Sequence, residues 1–128
     1  MIVGIGIDLV EVERMRQLLD RKGDRALQRL FTDGEREYAC AHPEPARQLA
    51  ARAAAKEAAF KALAGNDLAR GIGWRELEVL SRIGRAPALL LHGRAAERAS
   101  ELLVSRVHLS LTHTETTAGA VVIAERDA

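Results

Sequence analysis

From Ile2 to Ile7 β-branched residues alternate with glycines, a period of two that stops at Asp8 and predicts a first strand over residues 2–8. The period then lengthens. Val12, Met15 and Leu19 recur at helical spacing and predict a helix over 9–22, closed by Gly23. A shorter helix is expected through 24–31. Thr32 and Glu35 stand at capping-box spacing, so a third helix should open there and run through Tyr38. His42-Pro43-Glu44-Pro45 breaks the chain before a long alanine-rich helix, which Gly65-Asn66 should end.

The second half has a different rhythm. Residues 74–80 alternate apolar and polar as a half-buried strand does, and Gly84 to Pro87 reads as a turn into a second strand over 88–91. A helix over 92–103 follows, then strands over 107–113 and 116–124 joined by a tight connection. The order β, several helices, β-β, α, β-β predicts an α+β fold in which a mainly antiparallel sheet packs against the alanine-rich helix. The 128 residues are expected to form a single domain over 1–128.

Composition narrows the classes. Aromatic residues make up 3% of the chain, so the core must be built from Leu, Val, Ile and Ala, and stacking platforms for single-stranded nucleic acid are not expected. The formal charge of +1 sets no global direction, but residues 14–29 hold six basic and two acidic side chains. Arg14 and Arg21 share a helical face with Gln17 and Leu18. A charge-rich helical face is commonly only solvated; this imbalance points to an acidic partner, and no nucleic-acid-binding motif accompanies it. One cysteine, Cys40, excludes an internal disulfide and fits a reducing cytosol. No apolar run approaches the roughly 20 residues of a membrane span, and the first residues reach Asp8 without a basic leader, so a cytoplasmic protein without membrane association is expected.

Candidate chemistry begins in the alanine-rich segment, where nine of the sixteen residues from Leu49 to Ala64 are alanine. Glu57 and Lys61, at i and i+4, would on spacing alone be a helix-stabilising ion pair. Yet Ala50, Ala53, Ala54 and Ala58 line the side that carries Glu57, and a carboxylate in such surroundings must be paired or bind a metal. Lys56 falls on the Leu49–Phe60–Leu63 face, where a snorkelling stem with an exposed ammonium is expected. Asp8 is either a helix N-cap or, with Gly4 and Gly6 leaving room, a metal ligand. Together Asp8 and Glu57 suit Mg²⁺, which takes one or two carboxylates and leaves other positions to water and phosphate. His113 ends a strand on the side of Val107, Leu109 and Leu111, so it is either a core histidine or, with Ser110, Thr112 and Thr114 near, part of a phosphate site.

Three strings in register, GIGIDLVEVERM, RAAAKEAAFKAL and HLSLTHTETTAGAVVI, resemble the holo-acyl-carrier-protein synthases, the short stand-alone 4′-phosphopantetheinyl transferases. The resemblance spans essentially the whole chain. It implies the 4′-phosphopantetheinyl transferase fold, assembled as a homotrimer with active sites between subunits. The implied reaction is Mg²⁺-dependent transfer of 4′-phosphopantetheine from coenzyme A to a serine of apo acyl carrier protein, with release of adenosine 3′,5′-bisphosphate. Asp8 and Glu57 would bind the metal; Glu57, Lys61 and His113 would act in catalysis. Arg52, Lys61, Gly65, Pro87, His113 and Thr114 would contact the coenzyme, and Arg14, Arg21 and Arg25 the acidic carrier. His113 should serve a site whose Asp8 and Glu57 belong to a neighbouring subunit. The chain departs from the family pattern at Ala53, where a phenylalanine is common, and before the long helix, where only Arg47 replaces a lysine-rich loop. Two other readings use the same residues: a Mg²⁺-dependent hydrolase of a nucleotide or diphosphate, and a non-catalytic trimeric binding module.

Overall fold

Pairing with the last strand carries the first strand past Asp8. In the computed structural model, which describes residues 1–128, β1 spans Ile2–Glu11 and β5 spans Thr117–Glu125. Leu9, Val10 and Glu11 pair with Gly119, Ala118 and Thr117, so the ladder claims three residues that were expected to be helical. Helix α1 begins only at Val12 and runs to Lys22. Asp8 therefore lies inside a strand and caps no helix, a correction to one of its two readings.

Helices α2 (Asp24–Leu30), α3 (Asp33–Cys40) and α4 (Pro45–Leu63) follow. The expected capping box forms at α3: Thr32 accepts from the Glu35 backbone N–H and Glu35 accepts from that of Thr32. Pro45 occupies the first turn of α4, where its missing N–H costs nothing. α4 ends at Leu63, and Arg98 takes over its last carbonyls, donating from Nε to Leu63 O at 2.8 Å and from Nη2 to Ala64 O at 3.0 Å. Asn66 caps a four-residue helix, α5 (Asp67–Arg70), which the pattern had not announced. Residues 74–76 wind into a 3₁₀ turn, so the expected strand shortens to β2 (Leu77–Leu80), paired antiparallel with β3 (Ala88–Leu91). Helix α6 (Gly93–Glu101) leads to β4 (Arg106–His113). The strands form two antiparallel sheets, β1-β5-β4 and β2-β3, in place of one.

α4 is the centre of the molecule, with thirteen of its nineteen residues buried. One flank lies directly on β1. A Cβ added to Gly4 would come 1.9 Å from the carbonyl oxygen of Ala62, and one added to Gly6 would come 1.7 Å from that of Ala58. No side chain fits between strand and helix, which explains both the glycines of β1 and the alanines that face them. Other alanines of α4 pack with Leu77, Val79, Leu89 and Val122 in one core, and with Val12, Met15 and Phe31 in a second. No helix is long and apolar enough to cross a membrane.

The opposite flank of α4 holds a buried charge. Lys56 is fully buried, 2.8 Å from Glu35 Oε1, and donates to the carbonyls of Trp74 at 2.8 Å and Leu77 at 2.6 Å. This overturns the snorkelling expectation. The ammonium reaches inward because a carboxylate and two carbonyls from distant segments meet it there. Glu35 is itself held by the backbone N–H of Val79 at 2.8 Å. One ion pair thus joins α3, α4 and β2.

Candidate active site

β1 and α4 each supply part of one polar cluster. Even-numbered residues of β1 face α4, so Asp8 follows Gly4 and Gly6 on the side that touches the helix. On the helix, Glu57 and Lys61 are one turn apart and face the strand. Lys61 Nζ donates to Ile7 O at 2.8 Å and lies 3.2 Å from Asp8 Oδ1. The expected i, i+4 ion pair is not made. The strand offers Lys61 a carbonyl and a carboxylate at once, and the lysine leaves Glu57 for them.

Glu57 is half-buried, and burial pushes its carboxyl above the usual carboxylate range; repulsion from Asp8 adds to this and Lys61 opposes it. A carboxylate that is costly to ionise beside a second one forms a natural cation site, because a bound cation removes that cost. No three His, Cys, Asp or Glu side chains come together closely enough to hold a metal by themselves. The donor set is that of a site completed by water and a substrate's oxygens, which is how Mg²⁺ is commonly held. Asp8 and Glu57 fit that ion.

His113 does not join this cluster within the chain. It ends β4 opposite Ala118 of β5, while Asp8 lies opposite Ala120. The two are two strands apart, roughly 10 Å across the sheet. Its parity is that of Val107, Leu109 and Leu111, as expected, but its position past the helix leaves it exposed, so it is not a core histidine. Thr114 follows in the turn, where its backbone N–H donates to Thr117 O at 2.8 Å. Gly65 sits just beyond α4, close to Arg98.

Arg52 and Pro87 share a separate concavity of about 190 Å³ with Gln48, Arg82 and Arg85. Arg52 is 2% exposed, and its guanidinium lies 4.2 Å from the centre of the Tyr38 ring. Arg82 was not among the expected contacts; Arg85 lies in the Gly84–Pro87 turn, whose Pro87 was, but nothing in the sequence reveals that both arginines meet Arg52.

Arg14, Arg21 and Arg25 are all exposed. Arg25 lines a broad groove of about 800 Å³ together with Leu18, Lys22, Leu30 and Trp74. Arg14 and Arg21 lie one turn either side of Leu18 on the same helical face. The result is an apolar strip edged by cations.

Residues 4–122 match the 4′-phosphopantetheinyl transferase superfamily. The chain is 45% identical over 125 residues to the holo-[acyl-carrier-protein] synthase of Koribacter versatilis, covering 98% of this chain and 99% of that one. Its fold superposes on the crystal structure of the Neisseria meningitidis holo-[acyl-carrier-protein] synthase with a TM-score of 0.85 at 30% identity, covering 98% and 100% of the two chains. A third relative, the Bacillus anthracis holo-(acyl-carrier-protein) synthase in complex with CoA (3′,5′-ADP), is 31% identical with a TM-score of 0.78 over 99% of both chains.

Proposed function

This chain belongs to the 4′-phosphopantetheinyl transferase superfamily and, within it, to the holo-[acyl-carrier-protein] synthases, and from that premise we propose that it moves 4′-phosphopantetheine from coenzyme A to a serine of apo acyl carrier protein, with Mg²⁺ as cofactor and adenosine 3′,5′-bisphosphate as the second product. The observation that carries the reading is the meeting of Asp8, Glu57 and Lys61 where a glycine strand lies directly on an alanine helix. The coenzyme-bound Bacillus anthracis relative supports coenzyme A as the donor.

In the reaction the carrier's serine oxygen forms a bond to the phosphorus bearing the pantetheine arm, and the anhydride bond to the nucleotide phosphate breaks. Asp8 and Glu57 would hold Mg²⁺, which when bound neutralises charge on the diphosphate. Glu57 is placed to accept the serine proton, since Lys61 leaves its carboxylate free. Lys61 would exchange Asp8 for a phosphate oxygen and stabilise charge on the departing bisphosphate. The groove beside Leu18, with Arg14, Arg21 and Arg25, suits an acidic, partly apolar helix such as the carrier would present.

His113 and Thr114 enter through a second copy of the chain. Ile5, Ile7 and Leu9 alternate with the helix-facing residues of β1, and they are 59%, 60% and 69% exposed. They share the outer sheet face with Val121 and Ile123, an apolar patch that a homotrimer would bury. Such packing would bring the β4 end of one subunit to the Asp8–Glu57 cluster of the next.

The test is to incubate the protein with apo acyl carrier protein, coenzyme A and Mg²⁺ and weigh the carrier. A gain of one phosphopantetheine that disappears with a chelator is expected. Bisphosphate release without any carrier gain would establish the hydrolase reading instead, and neither product would leave the binding module.

A further inference from the structure

We infer that Arg98, on α6, is a positioning residue for the reaction: it clamps the last turn of α4 and so keeps Lys61 aimed at the site. The inference rests on the transferase reading above and adds a residue which that reading leaves out.

The end of α4 has little of its own to hold it. A helix leaves its last carbonyls without partners, and its final turn frays unless something takes them. Ala64 has already left the helix, at ψ 163°. The closing backbone bond, from Ala64 N–H to Lys61 O, is long at 3.5 Å, and no backbone N–H beyond Ala64 donates back to this turn.

Arg98 supplies what is missing. Its Nε donates to Leu63 O at 2.8 Å and its Nη2 to Ala64 O at 3.0 Å. The residue is 9% exposed, so little water competes for these bonds. A guanidinium presents its donors in a rigid planar fork, and a cation at a helix C-terminus also meets the negative end of the helix dipole. The fork is itself held in place. Nη1 donates to Glu101 Oε1 at 3.0 Å, and the same oxygen accepts from Asn66 Nδ2 at 2.9 Å. Asn66 Oδ1 in turn caps α5 at the Ala69 N–H. Gly65 fits this close approach: a Cβ there would come 3.0 Å from Arg98 Nη2, at a φ of 134° that other residues rarely adopt.

Lys61 is the residue that gains. It lies in the clamped turn, its side chain is 55% exposed, and its hydrogen bonds go only to Ile7 O and Asp8 Oδ1. In the reaction it would give up Asp8 for a phosphate oxygen, and the place of its backbone then decides where the ammonium points. A misplacement of about 1 Å costs on the order of 100-fold in rate. None of the hydrogen bonds of Arg98 goes to Asp8, Glu57 or Lys61, so its effect passes through the turn and not onto the substrate.

The experiment is a kinetic cycle of the parent, Arg98→Gln, Lys61→Ala and the double variant, read as transfer to apo acyl carrier protein. Arg98→Gln should lower kcat about tenfold or more and leave the carrier KM unchanged, because the cations of α1 are untouched. In the Lys61→Ala background the same substitution should change kcat little, since the side chain it aims is gone. Parent kcat in Arg98→Gln, or an equal loss in both backgrounds, overturns the inference. Arg98→Lys keeps the charge without the fork and should recover only part of kcat; full recovery overturns the clamp. If Arg98→Gln does not fold, Arg98→Lys takes its place in the cycle. The chain has three lysines, Lys22, Lys56 and Lys61, so NMR of isotope-labelled lysine side chains gives a readout without any substrate. The Lys61 signal, identified by its loss in Lys61→Ala, should move in Arg98→Gln toward its position in Asp8→Asn. A signal that stays in place overturns the inference even where transfer falls. A signal that moves in a protein that modifies no carrier leaves the clamp standing, and only the transferase reading fails.

Discussion

The ammonium of Lys56 lies 2.8 Å from Oε1 of Glu35, and neither side chain has any exposed surface. Removing one partner leaves the other charge buried. Lys56→Met should therefore destabilise the fold by about 3–5 kcal/mol, and adding Glu35→Gln to it should recover a large part of that loss. Denaturant midpoints for the four members of the cycle measure the coupling. Additive effects would mean the pair is not a unit.

Gly6→Ala should be among the most damaging methyl additions in the protein. The new Cβ would meet a backbone carbonyl of α4, which has no rotamer by which to move aside. Overpacking of this kind costs about 1–3 kcal/mol or more. Strand and helix can separate only by moving Asp8 from Glu57, so transfer activity should fall further than thermal stability alone predicts. A fully active, lower-melting variant would show that the contact is structural only.

Thr32 links a helix cap to a titrating carboxylate. Its hydroxyl donates to Glu78 Oε2 at 2.7 Å and accepts from the Glu35 N–H at 3.2 Å. The bond from Thr32, aided by His92, holds the Glu78 carboxyl below its usual range against the opposing effect of burial. A depressed folded pKa means the contribution is complete above the unfolded value, near 4.3, and is lost as pH falls through the folded value. Thr32→Val should cost about 1 kcal/mol for the cap at any pH. At neutral pH it should cost more, and the gap to the parent should narrow on acidification below about pH 4. Thr32→Ser should keep both bonds. A gap that does not change with pH would remove Glu78 from the account.

Arg14→Ala should raise the KM for the carrier protein by about fivefold or more, with much less change in kcat, because an exposed cation at the rim steers and docks an acidic partner. The parent's carrier KM should rise with salt as the same charges are screened, and the variant's should rise less. A KM unaffected by the substitution would move the docking face elsewhere.

What the sequence disclosed follows from how local each signal is. The Thr32–Glu35 capping box and the stop at Gly23 involve neighbours, and both form as expected. Leu9 to Glu11 could satisfy either a helix or a strand, and partners more than a hundred residues away at Thr117–Gly119 decided it. The same holds for Lys56. Its place on an apolar face implied an exposed head, and only the arrival of Glu35, Trp74 and Leu77 made burial tolerable. At the candidate site, Asp8, Glu57 and Lys61 were legible as residues, but the bond from Lys61 to Ile7 and Asp8 depends on a strand 53 residues away in sequence. Arg82 shows the limit most clearly, because only the folded hairpin brings it beside Arg52.

At Gly4 and Gly6 the strand and the helix touch through main-chain atoms that every amino acid possesses. The gap between the two acids is then fixed like the pitch of a thread, by the dimensions of the polypeptide itself. Substitutions elsewhere around α4 can exchange one core side chain for another without resetting that gap. Two glycines thereby shield the chemistry from divergence in the rest of the core.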